Sequence, residues 1–291
     1  MAKKSNEIIM KKTKGVIYIT TGKKYVEEVI RSAASLKKHM PKLPITIFSD
    51  EELSSSLFDK VIKIKNPKYR MEDKSENISK SPYDYTLFLD ADTYICDDIS
   101  ELFELLNRFD IGLAHAKIRK DYFRKGIPDS FPEFNGGVIL FKKSPKMNNF
   151  FSEWRKLYSK DKNKDVSNFY SEEFLKYKGK EFLSRKKEIT IKKGINEQPS
   201  LGEALYKSNL RISILPEEYN LRMSIGYVGG KVKIIHTHAK NPEKIAEIIN
   251  SKIRPRIYMQ EKDFKVIYPN YSFSLKSKIL NIFKIFTNKL K

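Results

Sequence analysis

The sequence predicts an α/β fold with a mainly parallel sheet flanked by helices. Short apolar runs alternate with helix-spaced segments through the first two-thirds of the chain. One run, YTLFL at 85–89, is apolar throughout and ends abruptly in carboxylates, as expected for a strand buried on both faces. The 291 residues are 40% hydrophobic, enough for a sizeable core.

Taken in order, the strand candidates are GVIYIT (15–20), ITIFS (45–49), KVIKIK (60–65), YTLFL (85–89), IGLAH (111–115), GVILFKK (137–143), RISIL (211–215) and KVKIIH (231–236). Helices are expected between them. Residues 23–39 carry apolar positions at helical spacing. Asp98 followed by Glu101 reads as a capping box for a helix over 99–109. Ser144-Pro145 reads as an N-cap and first-turn proline for a helix through Trp154, and Asn196 as the cap of a helix through Tyr206. Residues 117–133, with Gly126, Pro128 and Pro132, and the lysine- and aromatic-rich 159–193 read as loops or insertions over the active edge of the sheet. The α/β pattern spans 1–240, and 241–291 reads as a C-terminal helical extension. Its last stretch, 273–291, interleaves Ile279, Leu280, Ile282, Phe283, Ile285, Phe286 and Leu290 with lysines. That pattern suits a helix lying on an anionic membrane surface and equally one packed on the catalytic domain.

Composition excludes several classes. The single cysteine, Cys96, has no intramolecular partner, and no Cys/His cluster has zinc-site spacing, so a reducing cytoplasm is the expected compartment. The basic N-terminus lacks an apolar signal core, and no run reaches the roughly 20 apolar residues of a membrane span. A net charge of +21 favours polyanions, but the lysines are scattered in pairs without an RNA-binding or zinc-finger signature. Nucleic-acid binding is therefore not expected as the main function.

The chemistry concentrates at YTLFLDADTYICDD (85–98). Side chains at i and i+2 of an extended segment point the same way, so Asp90 and Asp92 reach one point beyond the strand's carboxyl end. Open α/β sheets bind ligands there. Two carboxylates make a hard site for Mn²⁺ or Mg²⁺, with phosphate oxygens filling the remaining positions. His236 and His238 close the KVKIIH run. His236 is favoured as the third ligand, because imidazole raises selectivity toward Mn²⁺, and His238 as a neighbouring or phosphate contact, though the two roles are exchangeable. Lys240 can neutralise diphosphate charge. In FNGGVILF (134–141), Gly136 and Gly137 allow close backbone approach, and Asn135 offers donor and acceptor to sugar hydroxyls. Glu197 and Gln198 open a helix. In TTGKKY (20–25), Thr20, Thr21, Gly22 and Tyr25 are placed to hold a base and ribose. Lys74 is within reach of the diphosphate, and Ala91, between the two aspartates, joins the substrate-binding set.

Together these pieces resemble the GT-A glycosyltransferases, in particular the glycogenin and lipopolysaccharide galactosyltransferase group. The resemblance covers roughly residues 14–240. SPYDYTLFLDADT at 81–93 looks like the group's strand and Asp-x-Asp motif, FNGGVILF like its Asn-x-Gly-Val element and EQPSL at 197–201 like its acidic-Gln helix start. KVKIIH looks like the strand whose closing histidine completes the metal site. The resemblance implies a Rossmann-like sheet, a manganese ion, a nucleotide sugar (most often a UDP-sugar) and retention at the anomeric carbon. HTHAKNP lacks the glycine and tryptophan of the group's usual His-x-x-Gly-x-x-Lys-Pro-Trp ending, which puts the diphosphate clamp in question. Glu197 stands where Asp is commoner.

In that frame the metal acts as a Lewis acid on the diphosphate. Asn135, the glycine pair and Glu197 orient the donor sugar, and Gln198 lies beneath the anomeric carbon. A retaining enzyme would use Gln198 to stabilise a cationic transition state; an inverting one would use Glu197 as base. The expected acceptor is a glycan, a lipid-linked glycan or a protein. The competing readings are a sugar-nucleotide hydrolase, a nucleotidyltransferase, and an inactive GT-A domain serving as a polyanion-binding module.

Overall fold

The computed structural model describes residues 12–116, 126–128, 130–162, 196–260 and 263–269, together with Lys176, Ser184 and Lys187. Most of the two expected insertions and the whole of 273–291 lie outside the described residues. The chain runs β1 (Lys14–Thr20), a 3₁₀ turn into α1 (Val26–His39), β2 (Ile45–Ser49), β3 (Lys60–Lys63), α2 (Met71–Asn77), β4 (Tyr85–Leu89), β5 (Thr93–Ile95), α3 (Leu102–Leu105) and β6 (Ile111–His115). It continues with β7 (Phe134–Lys142), α4 (Pro145–Asp161), α5 (Gln198–Lys207), β8 (Ile212–Leu215), β9 (Leu221–Arg222), β10 (Ile225–Val228), β11 (Ile234–His236), α6 (Pro242–Asn250), β12 (Arg256–Gln260) and β13 (Phe264–Ile267).

The main sheet has seven strands in the order β3-β2-β1-β4-β7-β6-β8. The predicted mainly parallel α/β architecture is present, with one reversal: β7 is antiparallel to both neighbours, β4 and β6. Period-2 alternation divides the core between the two faces. Val16, Tyr18, Leu87, Leu89, Val138 and Leu140 pack under α1, whose Val29, Ala33 and Leu36 are fully buried at helical spacing. Ile17, Phe88, Ile139 and Phe141 point the other way, against Phe150, Phe151 and Trp154 of α4 and Leu201 and Leu205 of α5. Ser144 caps α4 as its Oγ accepts from the Met147 N–H at 3.1 Å, with Pro145 in the first turn.

Three expectations are corrected. The capping box at Asp98 and Glu101 does not form, and only a four-residue helix, α3, follows. Asp98 instead accepts from Ser100 N–H, and Glu101 is drawn to the Tyr219 hydroxyl at 2.7 Å. KVKIIH does not join the main sheet. Only its last three residues form β11, which pairs with β5 and β9 in a separate small sheet. The extension after 240 is not helical throughout: its described part holds α6 and the hairpin β12–β13, which pairs with β10. Arg256 and Tyr258 turn inward while Ile257 and Met259 turn outward, an alternation that suits a strand.

Candidate functional site

The reversed strand explains why distant motifs meet. β4 ends at Leu89, paired with Val138, and the Asp90 N–H then donates to the Gly137 carbonyl at 2.8 Å. The start of β7 therefore lies beside the carboxyl end of β4. β5 follows the aspartates and pairs Thr93 with His236, while the Thr237 N–H donates to the Asp92 carbonyl at 2.8 Å. A short ladder thus delivers the histidine to the carboxylates.

Asp90, Asp92 and His236 each offer a ligand atom, all within 4.8 Å of one another. His236 Nε2 lies 3.2 Å from Asp92 Oδ1 and 3.8 Å from Asp90 Oδ2. Adjacent ligands in an octahedral shell with bonds of about 2.1 Å stand roughly 3 Å apart, so the spacing suits a small divalent ion. The protonation pattern suits it too. The Gly137 N–H can only donate, so the atom of Asn135 that receives it, at 3.0 Å, is the amide oxygen. That oxygen also accepts from Asn220 Nδ2 at 2.8 Å, which leaves the Asn220 oxygen facing His236 Nδ1 at 2.9 Å. Nδ1 then carries a proton, and Nε2 is the ring nitrogen that faces the aspartates and is placed to bind a metal.

Lys74 completes the charge pattern. Its ammonium is 2.9 Å from Asp90 Oδ1 and 2.9 Å from Glu197 Oε1, and the side chain is only 7% exposed. Burial works to lower the Lys74 pKa, but the two carboxylates outweigh it and raise the group above its ordinary value. Burial also works to raise Glu197, and the Lys74 charge brings it below the usual range. Asp90 goes the other way, pushed up by burial despite Lys74 and His236. At Asp92 burial is outweighed by the hydrogen bond and charge of His236, leaving it down at about 2.

The glycine pair serves the protein's own side chains. A Cβ on Gly137 would sit 2.0 Å from His236 Cε1, and one on Gly136 would sit 3.2 Å from Glu197 Oε1. Gln198, at the start of α5, donates its N–H to Asn196 Oδ1 at 2.9 Å and accepts from Asn135 Nδ2 at 3.4 Å. Asn196 thus anchors the helix start, while the Glu197 carboxylate is taken by Lys74.

The turn after β1 is fixed by acids. Thr21 Oγ1 donates to Asp73 at 2.7 Å, and the Gly22 N–H, at φ 88°, donates to Asp50 at 2.9 Å. Thr20 is buried with its hydroxyl unpaired, Tyr25 is half-buried beside Lys24, and Ala91 packs against the core under α1. His238 is exposed, with Nδ1 3.1 Å from Glu28 Oε1 and Nε2 3.4 Å from Asp92 Oδ2. Lys240 is exposed, and its described contact is a carbonyl accepting from Arg31. Asn220, fully enclosed between Asn135 and His236, was missed by the sequence reading: a lone asparagine 16 positions before the histidine carries no local pattern.

No protein-family model matches the chain, and no curated protein matches it. Among solved structures it is similar to the glycosyltransferase GlyE of Streptococcus pneumoniae TIGR4 (17% identity over 78% of this chain and 56% of that one, TM-score 0.49). It is also similar to the galactosyltransferase LgtC solved with donor and acceptor sugar analogs (11%, 78% and 87%, 0.44). A third match is the bifunctional glycosyltransferase WbbM (14%, 80% and 47%, 0.45). The chain spans little more than half the length of GlyE. Likenesses this distant carry nothing about activity, which rests on the site itself. Among the described residues no helix is long and apolar enough to cross a membrane.

Proposed function

We propose that the chain is a metal-dependent glycosyltransferase that moves a sugar from a nucleotide-diphospho-sugar, with a UDP-sugar favoured, to a glycan, lipid-linked or protein acceptor with retention. The observation that carries this reading is the convergence of Asp90, Asp92 and His236 Nε2 beyond the carboxyl end of β4. Asp90, Asp92 and His236 would hold Mn²⁺ or Mg²⁺. When bound, that ion supplies Lewis-acid stabilisation to a departing diphosphate.

The chain's own residues supply the rest. Lys74 holds Asp90 and Glu197 in fixed positions and keeps Glu197 charged. Glu197, so held, and Asn135 present acceptors and donors of the kind that bind sugar hydroxyls. Gln198, oriented by Asn135, offers an amide dipole to positive charge developing at the anomeric carbon. The turn from Thr20 to Tyr25, braced by Asp50 and Asp73, forms the wall for base and ribose.

The test is release of free nucleotide from UDP-glucose, UDP-galactose, UDP-GlcNAc and GDP-mannose. Each donor is assayed with and without candidate acceptors, in Mn²⁺, Mg²⁺ or EDTA. Metal-dependent release that rises with an acceptor supports transfer. Release to water alone at the same rate would mark a hydrolase, and no release with any donor would overturn the reading.

A further inference from the structure

The loop between β3 and α2 holds Tyr69 in a backbone conformation that bulky residues avoid. Its φ is 55°, and among the described residues it is the one non-glycine at positive φ. Such a residue is strained and persists only where its surroundings over-determine it. Asp73 does this here: its carboxylate accepts from the Lys68 N–H at 2.9 Å, the Tyr69 N–H at 2.8 Å and Thr21 Oγ1 at 2.7 Å. The loop is thereby tied to the turn after β1. The Tyr69 ring lies along that turn, 3.5 Å from where a Cβ on Gly22 would stand. A hydrogen bond to the Asp50 carboxylate pushes its hydroxyl's pKa up, and Asp50 also accepts from the Gly22 N–H. Burial does not account for the strain, because Tyr69 is 60% exposed.

Its position gives the strain a use. β2, β1 and β4 are parallel neighbours, so Asp50, the Gly22 turn and Asp90 stand in a row along one edge of the sheet, on strands about 4.8 Å apart. Lys74, on the helix that follows the loop, reaches Asp90 at the far end of that row. With a diphosphate at Asp90 and Asp92, a ribose and then a base would follow toward Asp50, where the Tyr69 ring lies. Aromatic rings hold bases by stacking on them, whatever hydrogen bonds the base edge makes. Tyr25, half-buried at the head of α1, offers less open ring. Resting on the reading of the site as one for a nucleotide sugar, we propose that Tyr69 is the platform on which the donor's base stacks, with Asp73 holding the loop in the strained form that presents the ring.

The experiment is calorimetric titration of UDP, GDP and inorganic pyrophosphate, in Mn²⁺, into the full chain as wild type, Tyr69→Ala and Tyr69→Phe. Losing a stacked ring should weaken whichever nucleoside diphosphate the wild type binds by roughly 5-fold to 100-fold. Pyrophosphate, which has no base, should bind Tyr69→Ala as it binds the wild type, and Tyr69→Phe, which keeps the ring, should hold the nucleotide as the wild type does. Unchanged nucleotide affinity in Tyr69→Ala overturns the proposal. An equal loss for pyrophosphate also overturns it, because Tyr69 would then only support the metal site. So does a Tyr69→Phe protein as weak as Tyr69→Ala, which would assign the effect to the hydroxyl on Asp50. Should Tyr69→Ala fail to fold, Tyr69→Trp reports instead: its added emission should be quenched by the nucleotide and not by pyrophosphate, and any other pattern overturns the proposal. A wild type that binds neither UDP nor GDP overturns the nucleotide-sugar reading itself, an outcome distinct from any change confined to the variants.

Discussion

His236 directs Nε2 of its ring at Asp92 Oδ1 across 3.2 Å. The hydrogen bond and charge of His236 hold the Asp92 carboxyl below its ordinary range, at about 2, so the folded site favours its ionised form. Asp92→Asn should leave the protein folded with a melting temperature slightly below wild type, because it removes a carboxylate that the folded site stabilises. Mn²⁺ affinity and metal-dependent turnover should fall by at least the roughly 100-fold that losing a supporting group can cost. Calorimetric Mn²⁺ titration beside a melting curve separates the two effects, and wild-type affinity in the variant would remove Asp92 from the ligand set.

The two histidines should differ. His236→Ala removes a ligand atom, whereas His238→Ala removes an exposed side chain between Glu28 and Asp92. The first is expected to weaken Mn²⁺ binding far more than the second. The reverse order in the same titration would exchange their roles.

Asn220 acts through His236, so its effect should appear in metal affinity before it appears in fold. Asn220→Ala frees the Nδ1 proton and lets the ring choose its tautomer, at a cost of about 10-fold to 100-fold in affinity. Asn220→Asp keeps an acceptor for Nδ1 but loses the donor to Asn135. Its affinity should lie between the other two proteins, and an Asn220→Ala protein with unaltered affinity would break the hydrogen-bond argument.

Gly137→Ala tests the close approach directly. The new Cβ would fall 2.0 Å from His236 Cε1 and 2.6 Å from Nδ1, so the ring must leave its place. Since the backbone there is ordinary strand, the variant should fold while binding metal as weakly as His236→Ala. Gly202→Ala, whose Cβ meets nothing within 4 Å, is the control.

Asp110 offers a pH test remote from the site. It accepts from the Arg211 N–H and side chain and pairs with Lys142, tying β6 to the strands beside it. Burial works to raise its pKa, but these partners hold it well below the usual range. A depressed carboxylate pKa means stability present above the unfolded value near 4 and lost as pH falls through the folded one. Asp110→Asn should cost about 1–3 kcal/mol at pH 7. That difference should shrink below about pH 4 in denaturant titrations, and a difference independent of pH would show that the charge is not the cause.

The strands and the aspartate pair were legible because a buried parallel strand ending in acids writes its own signal: YTLFLDAD needs no partner to be read. The direction of β7 was not, since GVILF is equally apolar whichever way it runs, and direction is set by which neighbour it meets. Lys74 reads in the sequence as a residue within reach of phosphate, and its place between Asp90 and Glu197 depends on contacts 16 and 123 positions away. Asn220 was invisible for the same reason. The hairpin β12–β13 was misread as helix because a short, lysine-flanked run such as RIYMQ has no period long enough to decide between the two.

The reversal of β7 also sets an order of assembly. β7 comes after both of the strands it separates, so β4 and β6 keep bare edges until residue 134 and beyond have been made. Asp90 and Asp92 therefore exist as a loose acidic pair well before the chain has produced Asn135, and before Asn220 and His236 more than 80 residues later. Metal affinity should thus appear last in biosynthesis and disappear first in partial unfolding, when the three-residue ladder of β11 comes away while the seven-stranded sheet still stands.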